Sequence, residues 1–171
     1  RDRNWWLTTT NNWNAVCHAG VVGAALTLEP DRYRRAAFIA AAENNIGHFL
    51  DGFGDDGYCS EGLGYWNYGF GHFILLAETV RQATGGKLDF FAMEGVRAPA
   101  AFPLGLEISG GVYPAFADCG VKAEPAARYV RYIESRMQWR EAEEGDRVEP
   151  VVAPLLADTL LFAQPEAWND A

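Results

Sequence analysis

Residues 65–84 read YWNYGFGHFILLAETVRQAT, and this stretch decides the fold class of the 171-residue chain. It is long, and its apolar side chains fall at helical rather than alternating positions. Those that can pack a core are Phe73, Ile74, Ala77 and Val80. Gly85 and Gly86 follow and act as a helix stop, because glycine adopts the left-handed conformation that ends a helix at little cost. The stretch therefore predicts one long helix that packs against other helices.

Helical spacing continues on both sides of this segment, and the alternation typical of β-strands is scarce. The asparagines within 11–14 can cap a first helix, because their side chains accept hydrogen bonds from the unpaired N–H groups of a helix start. We expect the other helices over about 15–28, 29–53, 87–107 (kinked near its prolines), 126–143 and 154–162. Glycine-rich loops separate some of them, at 52–64 and 109–125. The prediction is a single all-α domain over 1–171, built of antiparallel helical hairpins.

Composition and charge exclude several classes of function. Apolar residues make up 49% of the chain and charged residues 22%, which is ordinary for a folded globular protein. The net charge is −9, from 14 Lys and Arg against 23 Asp and Glu, and an acidic chain repels phosphate backbones. We therefore expect no nucleic-acid partner. No apolar run reaches the roughly 18 residues that a membrane span needs, so we expect no membrane partner either.

Three patterns that suggest a cofactor or a metal fail on their context. Gly52-x-Gly54-x-x-Gly57 matches a dinucleotide fingerprint, but a helix rather than a strand precedes it. Residues 51–61 hint at a calcium loop, yet Asp56 stands where the sharp-turn glycine belongs. The side chains that could bind transition metals are scattered, with no ligand spacing among them: His18, His48, His72, Cys17, Cys59 and Cys119. We expect no metal and no cofactor, and we expect the three cysteines to be buried free thiols.

Two segments carry a constellation suited to chemistry. Thr8–Asn14 gathers short polar side chains around one tryptophan at a helix start, and Glu61–His72 is a glycine-flexed loop that enters an aromatic helix. Tyr65, Tyr68 and His72 are spaced i, i+3 and i+7, so they share one helix face. A phenol can protonate a leaving oxygen, and asparagine amides with helix-start N–H groups can hold a carboxylate. The same residues also fit plain structural roles, as helix caps and as core tyrosines with satisfied hydroxyls.

The chain resembles the heparinase II/III-like polysaccharide lyases in three stretches: NNWNAVCHAG (11–20), DDGYCSEGLGYWNYGFGHF (55–73) and GGVYPAFADCG (110–120). The resemblance covers the chain from about Trp5 to Cys119. It implies part of an incomplete (α/α) toroid, with the family's earlier toroid helices and its downstream β-sandwich domain outside this chain. It also implies a periplasmic or secreted enzyme that cleaves a uronic-acid polysaccharide by β-elimination.

Residue by residue, the resemblance implies definite roles. Asn12, or Asn14 beside it, neutralises the uronate carboxylate and so acidifies the C5 proton. Tyr68, or else Tyr65, is the catalytic tyrosine that protonates the glycosidic oxygen. The residues that shape the sugar cleft are Trp13, Glu61, Trp66 and His72. Trp13 stands where some members carry a histidine, and the family's second catalytic histidine lies further downstream, so the sequence leaves open whether this chain turns over by itself.

Two other functions remain open from the sequence. A glycoside hydrolase on an α/α barrel would use Asp55, Asp56 or Glu61 as its acid–base carboxylate. A non-catalytic glycan-binding module would use aromatic side chains as stacking surfaces, from the set Trp13, Trp66 and Tyr65. The sequence does not specify which uronate is bound, whether cleavage is endo or exo, whether a metal is bound, or the oligomeric state.

Overall fold

The computed structural model describes residues 4–139, and within them the chain is all-α. Six α-helices follow one another: α1 (Asn12–Leu28), α2 (Arg32–Asn45), α3 (Gly47–Leu50), α4 (Leu63–Ala83), α5 (Arg97–Ala101) and α6 (Ala127–Met137). Short 3-10 turns lie at Trp5–Leu7, Phe90–Ala92 and Phe102–Gly105. The described residues hold no β-strand, and their one β-bridge joins Ser109 to Val112. The all-α prediction is confirmed, while the arrangement of the helices into a toroid stays a prediction.

Side-chain caps fix where the first two helices begin. The Asn11 side chain accepts from the N–H of Trp13 at 3.1 Å, so α1 starts at the predicted asparagine cap. The Asp31 carboxylate caps α2 in the same way, accepting from the N–H groups of Tyr33 and Arg34. These hydrogen bonds satisfy N–H groups that a helix start otherwise leaves unpaired. Local sequence therefore sets the boundary between the two helices.

The core forms where α1 packs against α4 and α2. Helix α1 presents small buried side chains, such as Ala15 and Ala19, which let the α4 backbone come close. Helix α4 supplies the bulk of the core, with Trp66 stacked on Phe70 at 5.3 Å between ring centroids and Phe73 packed next to Phe70. Each such side chain stabilises the fold by about 1.5–3 kcal/mol on burial. The core thus holds the two chemistry-bearing segments, at the start of α1 and the start of α4, in fixed relation.

A buried polar network ties α6 to α4. Glu78 of α4 is almost fully buried and accepts hydrogen bonds from the Tyr132 hydroxyl at 2.8 Å, from Arg81 at 2.6 Å and from Gln82 at 3.0 Å. Burial raises the pKa of Glu78, but these hydrogen bonds outweigh burial and hold the pKa below its usual value. Nearby, Arg136 forms an ion pair with Asp89 at 2.6 Å. A buried charge with three donors is satisfied, so this cluster is structural.

The structure corrects several predicted helix boundaries. The helix expected over 29–53 is interrupted at Ile46, next to the Asn45 carbonyl that accepts the side-chain amide of Asn14 at 3.3 Å. The helix expected over 87–107 is wrong: Gly95 has a φ of +84°, and only short turns and α5 form around it. Helix α6 ends at Met137, since Gln138 adopts the left-handed conformation. The helix predicted near 154–162 lies outside the described residues.

Candidate functional site

A polar cleft opens between the start of α1, the end of α3 and the start of α4. Its walls come from three segments: Thr10, Asn11 and Asn12; Phe49, Gly52 and Phe53; Cys59, Ser60, Glu61 and Tyr65. The cleft has a volume of about 110 Å³. One water needs roughly 10–15 Å³ of such space, so a carboxylate with several waters fits inside. Three of the predicted site residues, Asn12, Glu61 and Tyr65, meet in this cleft.

Close backbone packing positions Asn12. Gly69, in the middle of α4, lies so near that a Cβ atom there would be 3.1 Å from the Asn12 Cβ and 3.2 Å from the Phe49 ring. Glycine at position 69 therefore lets the start of α1 rest directly on α4. The Asn12 side chain is largely buried, and its carboxamide makes no hydrogen bond to the described residues. It is the first residue of a 17-residue helix, whose N-terminal N–H groups add positive partial charge on that side of the cleft.

Glu61 and Tyr65 form the opposite wall. Glu61 lies in the loop before α4 and Tyr65 in its first turn, and both side chains are partly buried. Neither the Glu61 carboxylate nor the Tyr65 hydroxyl forms a hydrogen bond or an ion pair within residues 4–139. Both groups are therefore available to a ligand. Gly62 between them has a φ of +86°, a conformation that lets the loop turn into the helix there. The arrangement presents a carboxamide, a phenol and a carboxylate to one small volume.

Tyr68, His72 and Trp13 lie outside the lining of this cleft. The Tyr68 side chain is 49% exposed, and its ring packs edge-on against His72 at 4.8 Å. The Nδ1 atom of His72 donates to the Tyr68 carbonyl oxygen at 2.7 Å, which leaves Nε2 directed away from that bond. Trp13 is 52% exposed and meets Trp5 edge-on at 6.1 Å. These aromatic side chains offer exposed surfaces close to the cleft. Trp13 directly follows Asn12, and Tyr68 and His72 share a helix face with Tyr65.

The structure corrects two of the predicted site residues. Asn14 is fully buried, and its side-chain nitrogen donates to the carbonyl oxygens of Leu7 at 2.8 Å, Trp6 at 3.1 Å and Asn45 at 3.3 Å. An amide engaged in this way has no N–H left for a carboxylate. Trp66 is also fully buried, and its indole N–H donates to the Pro99 carbonyl at 2.8 Å. The expected roles of Asn14 and Trp66 at the sugar are therefore wrong, and both are structural residues.

The acidic loop next to the cleft has a structural arrangement of its own. The Asp56 side chain accepts from the Tyr58 N–H at 2.9 Å and so closes the turn that begins at Gly54. Asp55 and Asp56 are exposed and do not line the cleft.

Across residues 4–139, no three histidine, cysteine, aspartate or glutamate side chains gather as a metal site requires. In the same part of the chain, no helix is long and apolar enough to cross a membrane.

Some cleft residues could not be picked out from the sequence. Phe49 and Phe53 belong to the segment where a helix was expected, while Gly52, Cys59 and Ser60 lie in the predicted glycine-rich loop, where no site role was assigned to them. The turn after α3 meets the start of α1 at Gly52, where a Cβ atom would lie 1.8 Å from the Thr10 carbonyl oxygen. The sequence shows a glycine-rich loop and a run of threonines, but only the fold shows that Gly52 and Thr10 are in contact.

No protein-family model and no curated protein sequence matches this chain significantly.

Proposed function

We propose that this chain is the α-helical catalytic part of a polysaccharide lyase that cleaves a uronic-acid polysaccharide by β-elimination. One observation carries the proposal: the Asn12 carboxamide and the Tyr65 hydroxyl line the same cleft, and neither has a partner among the described residues. An amide that holds a carboxylate and a phenol that delivers a proton are the two groups such an elimination needs. The resemblance seen in the sequence supports the same reaction.

The proposed mechanism uses neutral groups to hold the acidic sugar. The uronate carboxylate would accept hydrogen bonds from Asn12 and lie near the N-terminus of α1, which disperses charge from the carboxylate and acidifies the C5 proton. Tyr65, as its phenolate, would take that proton, the released electron pair would form the C4–C5 double bond as the C4–oxygen bond breaks, and the resulting phenol would return the proton to the departing oxygen. Tyr68 is the second position from which a phenol could act. The cleft lining favours Tyr65, since Tyr68 does not contribute to it.

The cleft favours elimination over hydrolysis. Glycoside hydrolases ordinarily need two carboxyl groups on either side of the bond, about 5–9.5 Å apart. Among the described residues of the cleft lining, Glu61 is the one carboxylate. A lyase needs no such pair, so the residue set fits the lyase better. The glycan-binding module remains a second candidate because Trp5 and Trp13 together expose aromatic faces at the surface.

The test is a panel of acidic polysaccharides, followed by ultraviolet absorbance for unsaturated uronate and by a reducing-sugar assay. We expect new ultraviolet absorbance, and a loss of about 100-fold or more in rate for Tyr65→Phe and Asn12→Ala. Tyr33→Phe and Asn44→Ala, at exposed positions of α2, are the matched controls and should keep full activity.

The three functions give different outcomes in this test. New reducing ends without ultraviolet absorbance would indicate a hydrolase, and a Glu61→Gln variant should then lose the activity. Polysaccharide binding without any cleavage, weakened by Trp13→Ala and retained in Tyr65→Phe, would indicate a binding module. Either result would overturn the lyase proposal.

A further inference from the structure

Two cysteines that are far apart in the sequence lie against the same glycine. The N–H of Gly62 donates to the Cys59 carbonyl oxygen at 3.0 Å, which closes a turn from residue 59 to residue 62. A Cβ atom on Gly62 would lie 2.8 Å from the Cβ and 3.7 Å from the Sγ of Cys119. The side chain of Cys119 therefore rests on the turn that carries Cys59. This contact joins the loop before α4 to the loop before α6.

Hydrogen bonds and ring stacking hold the loop before α4 and the loop before α6 against each other. The Cys119 N–H donates to the Phe116 carbonyl oxygen at 3.1 Å, and that same oxygen would lie 2.8 Å from a Cβ atom on Gly62. The rings of Tyr58 and Phe116 stack between the two loops at 5.6 Å. Disulfide formation requires Cβ atoms about 3.5–4.5 Å apart, and the contact at Gly62 brings Cys119 onto the turn that begins at Cys59.

The two thiols differ in access. Cys59 is buried, and Cys119 is partly exposed. Burial raises the pKa of Cys59, and the neighbouring Cys119 adds to this effect. Because the thiolate is the reactive form and must be reached by the reagent, Cys119 is the better point of first attack. Cys17 lies on α1 and serves as an internal reference.

We propose that Cys59 and Cys119 form a reversible disulfide when the protein meets a small-molecule disulfide. The Cys119 thiolate attacks one sulfur of the reagent, forms a mixed disulfide and releases one thiolate. Cys59 then loses its proton and attacks the Cys119 sulfur, which releases the second thiolate. The protein loses two electrons and two protons, and the reagent is reduced to two thiols.

The cross-link would act on the cleft described above, because Cys59 and the two residues after it form one of its walls. A bond to Cys119 would pin this wall to the loop before α6. The disulfide itself does not depend on the proposed lyase function, since it is detected without any substrate.

Peptide mapping provides a direct test on the full chain. Trypsin places each cysteine in its own peptide: Cys17 in 4–32, Cys59 in 36–81 and Cys119 in 98–122. After treatment with oxidised glutathione and alkylation of free thiols, we expect peptides 36–81 and 98–122 to be joined, with 4–32 alkylated. Dithiothreitol should separate the joined pair.

A second measurement uses the thermal transition of the untreated and oxidised protein. A disulfide across a long loop should raise Tm by about 10 °C. This rise should persist in Cys17→Ser and vanish in Cys59→Ser and in Cys119→Ser. Glutathione held on single cysteines, a link to Cys17, or cross-linking only between molecules would each overturn the proposal. Wild-type mapping alone decides the question if a variant fails to fold.

Discussion

The carbonyl oxygen of Thr10 occupies the place where a side chain at position 52 would begin, since a Cβ atom on Gly52 would lie 1.8 Å from it. This contact joins the segment before α1 to the turn after α3, and both residues line the cleft. The shape of the cleft therefore depends on a glycine that bears no functional group.

We predict that Gly52→Ala distorts the cleft and destabilises the protein by about 1–3 kcal/mol, because the added methyl group must displace backbone. Gly47→Ala is the matched control, since nothing lies within 4 Å of a Cβ atom there and alanine favours a helix. Urea denaturation of both variants measures the difference. An unchanged free energy of unfolding in Gly52→Ala would contradict the contact.

Substitution of Asn14 should lower stability, whereas substitution of Asn12 should lower activity. Asn14→Ala removes hydrogen bonds to three backbone carbonyls in a buried setting, and we expect a loss of about 1–3 kcal/mol in the free energy of unfolding. Asn12→Ala removes no such bond, so it should change stability by less than about 1 kcal/mol while it abolishes cleavage. Chemical denaturation alongside the ultraviolet assay checks both effects. Equal destabilisation by the two variants would mean that Asn12 is also a structural residue.

The hydroxyl of Tyr132 should contribute measurably to stability. Tyr132→Phe leaves one oxygen of the buried Glu78 carboxylate with fewer donors, and hydrogen bonds to charged groups contribute about 1.5–3 kcal/mol. We expect a loss of that size in urea denaturation. Tyr33→Phe, which also removes one phenolic oxygen but at an exposed site, should be nearly neutral. A neutral Tyr132→Phe would show that Arg81 and Gln82 are enough to hold the carboxylate.

His18 should make stability depend on pH near neutrality. Burial lowers the pKa of His18 below 6.5, an effect partly offset by the hydrogen bond from its Nδ1 to the Asn14 carbonyl at 2.8 Å. Its Nε2 atom is buried without a partner among the described residues, so a proton there would be costly. A lowered histidine pKa means that the unfolded chain binds more protons. His18 therefore stabilises the fold above about pH 6.5, and this contribution is lost as the pH falls.

The measurement is the urea midpoint between about pH 7.5 and pH 5, where wild type should lose stability on acidification. His18→Gln should flatten this slope, whatever its effect on the midpoint at neutral pH. His72→Gln, near the surface, should keep the wild-type slope. If the slope survives in His18→Gln and disappears in His72→Gln, the pH dependence comes from His72, and the prediction for His18 is wrong.

The sequence alone determined the all-α class of the described residues and two of the main helix boundaries. The long helix predicted over 65–84 is α4, Leu63–Ala83, and the asparagine run does cap α1. These signals are local, because a cap or a glycine stop acts within one turn of the chain. Local signals failed over 87–107, where helical spacing was present but Gly95 and the prolines broke the segment into short turns.

The sequence also pointed to two of the three segments that line the candidate cleft, but only the tertiary structure decided which residue of each faces it. Residues two apart on a helix point roughly 200° apart, so Asn12 and Asn14 cannot face the same volume. Packing of α1 on Gly69 turned Asn12 toward the cleft and Asn14 into the interior. Burial of Trp66 in the core likewise left Tyr65 beside the cleft. Residue types are written in the sequence, whereas the direction of a side chain depends on which neighbour covers the other faces of its helix.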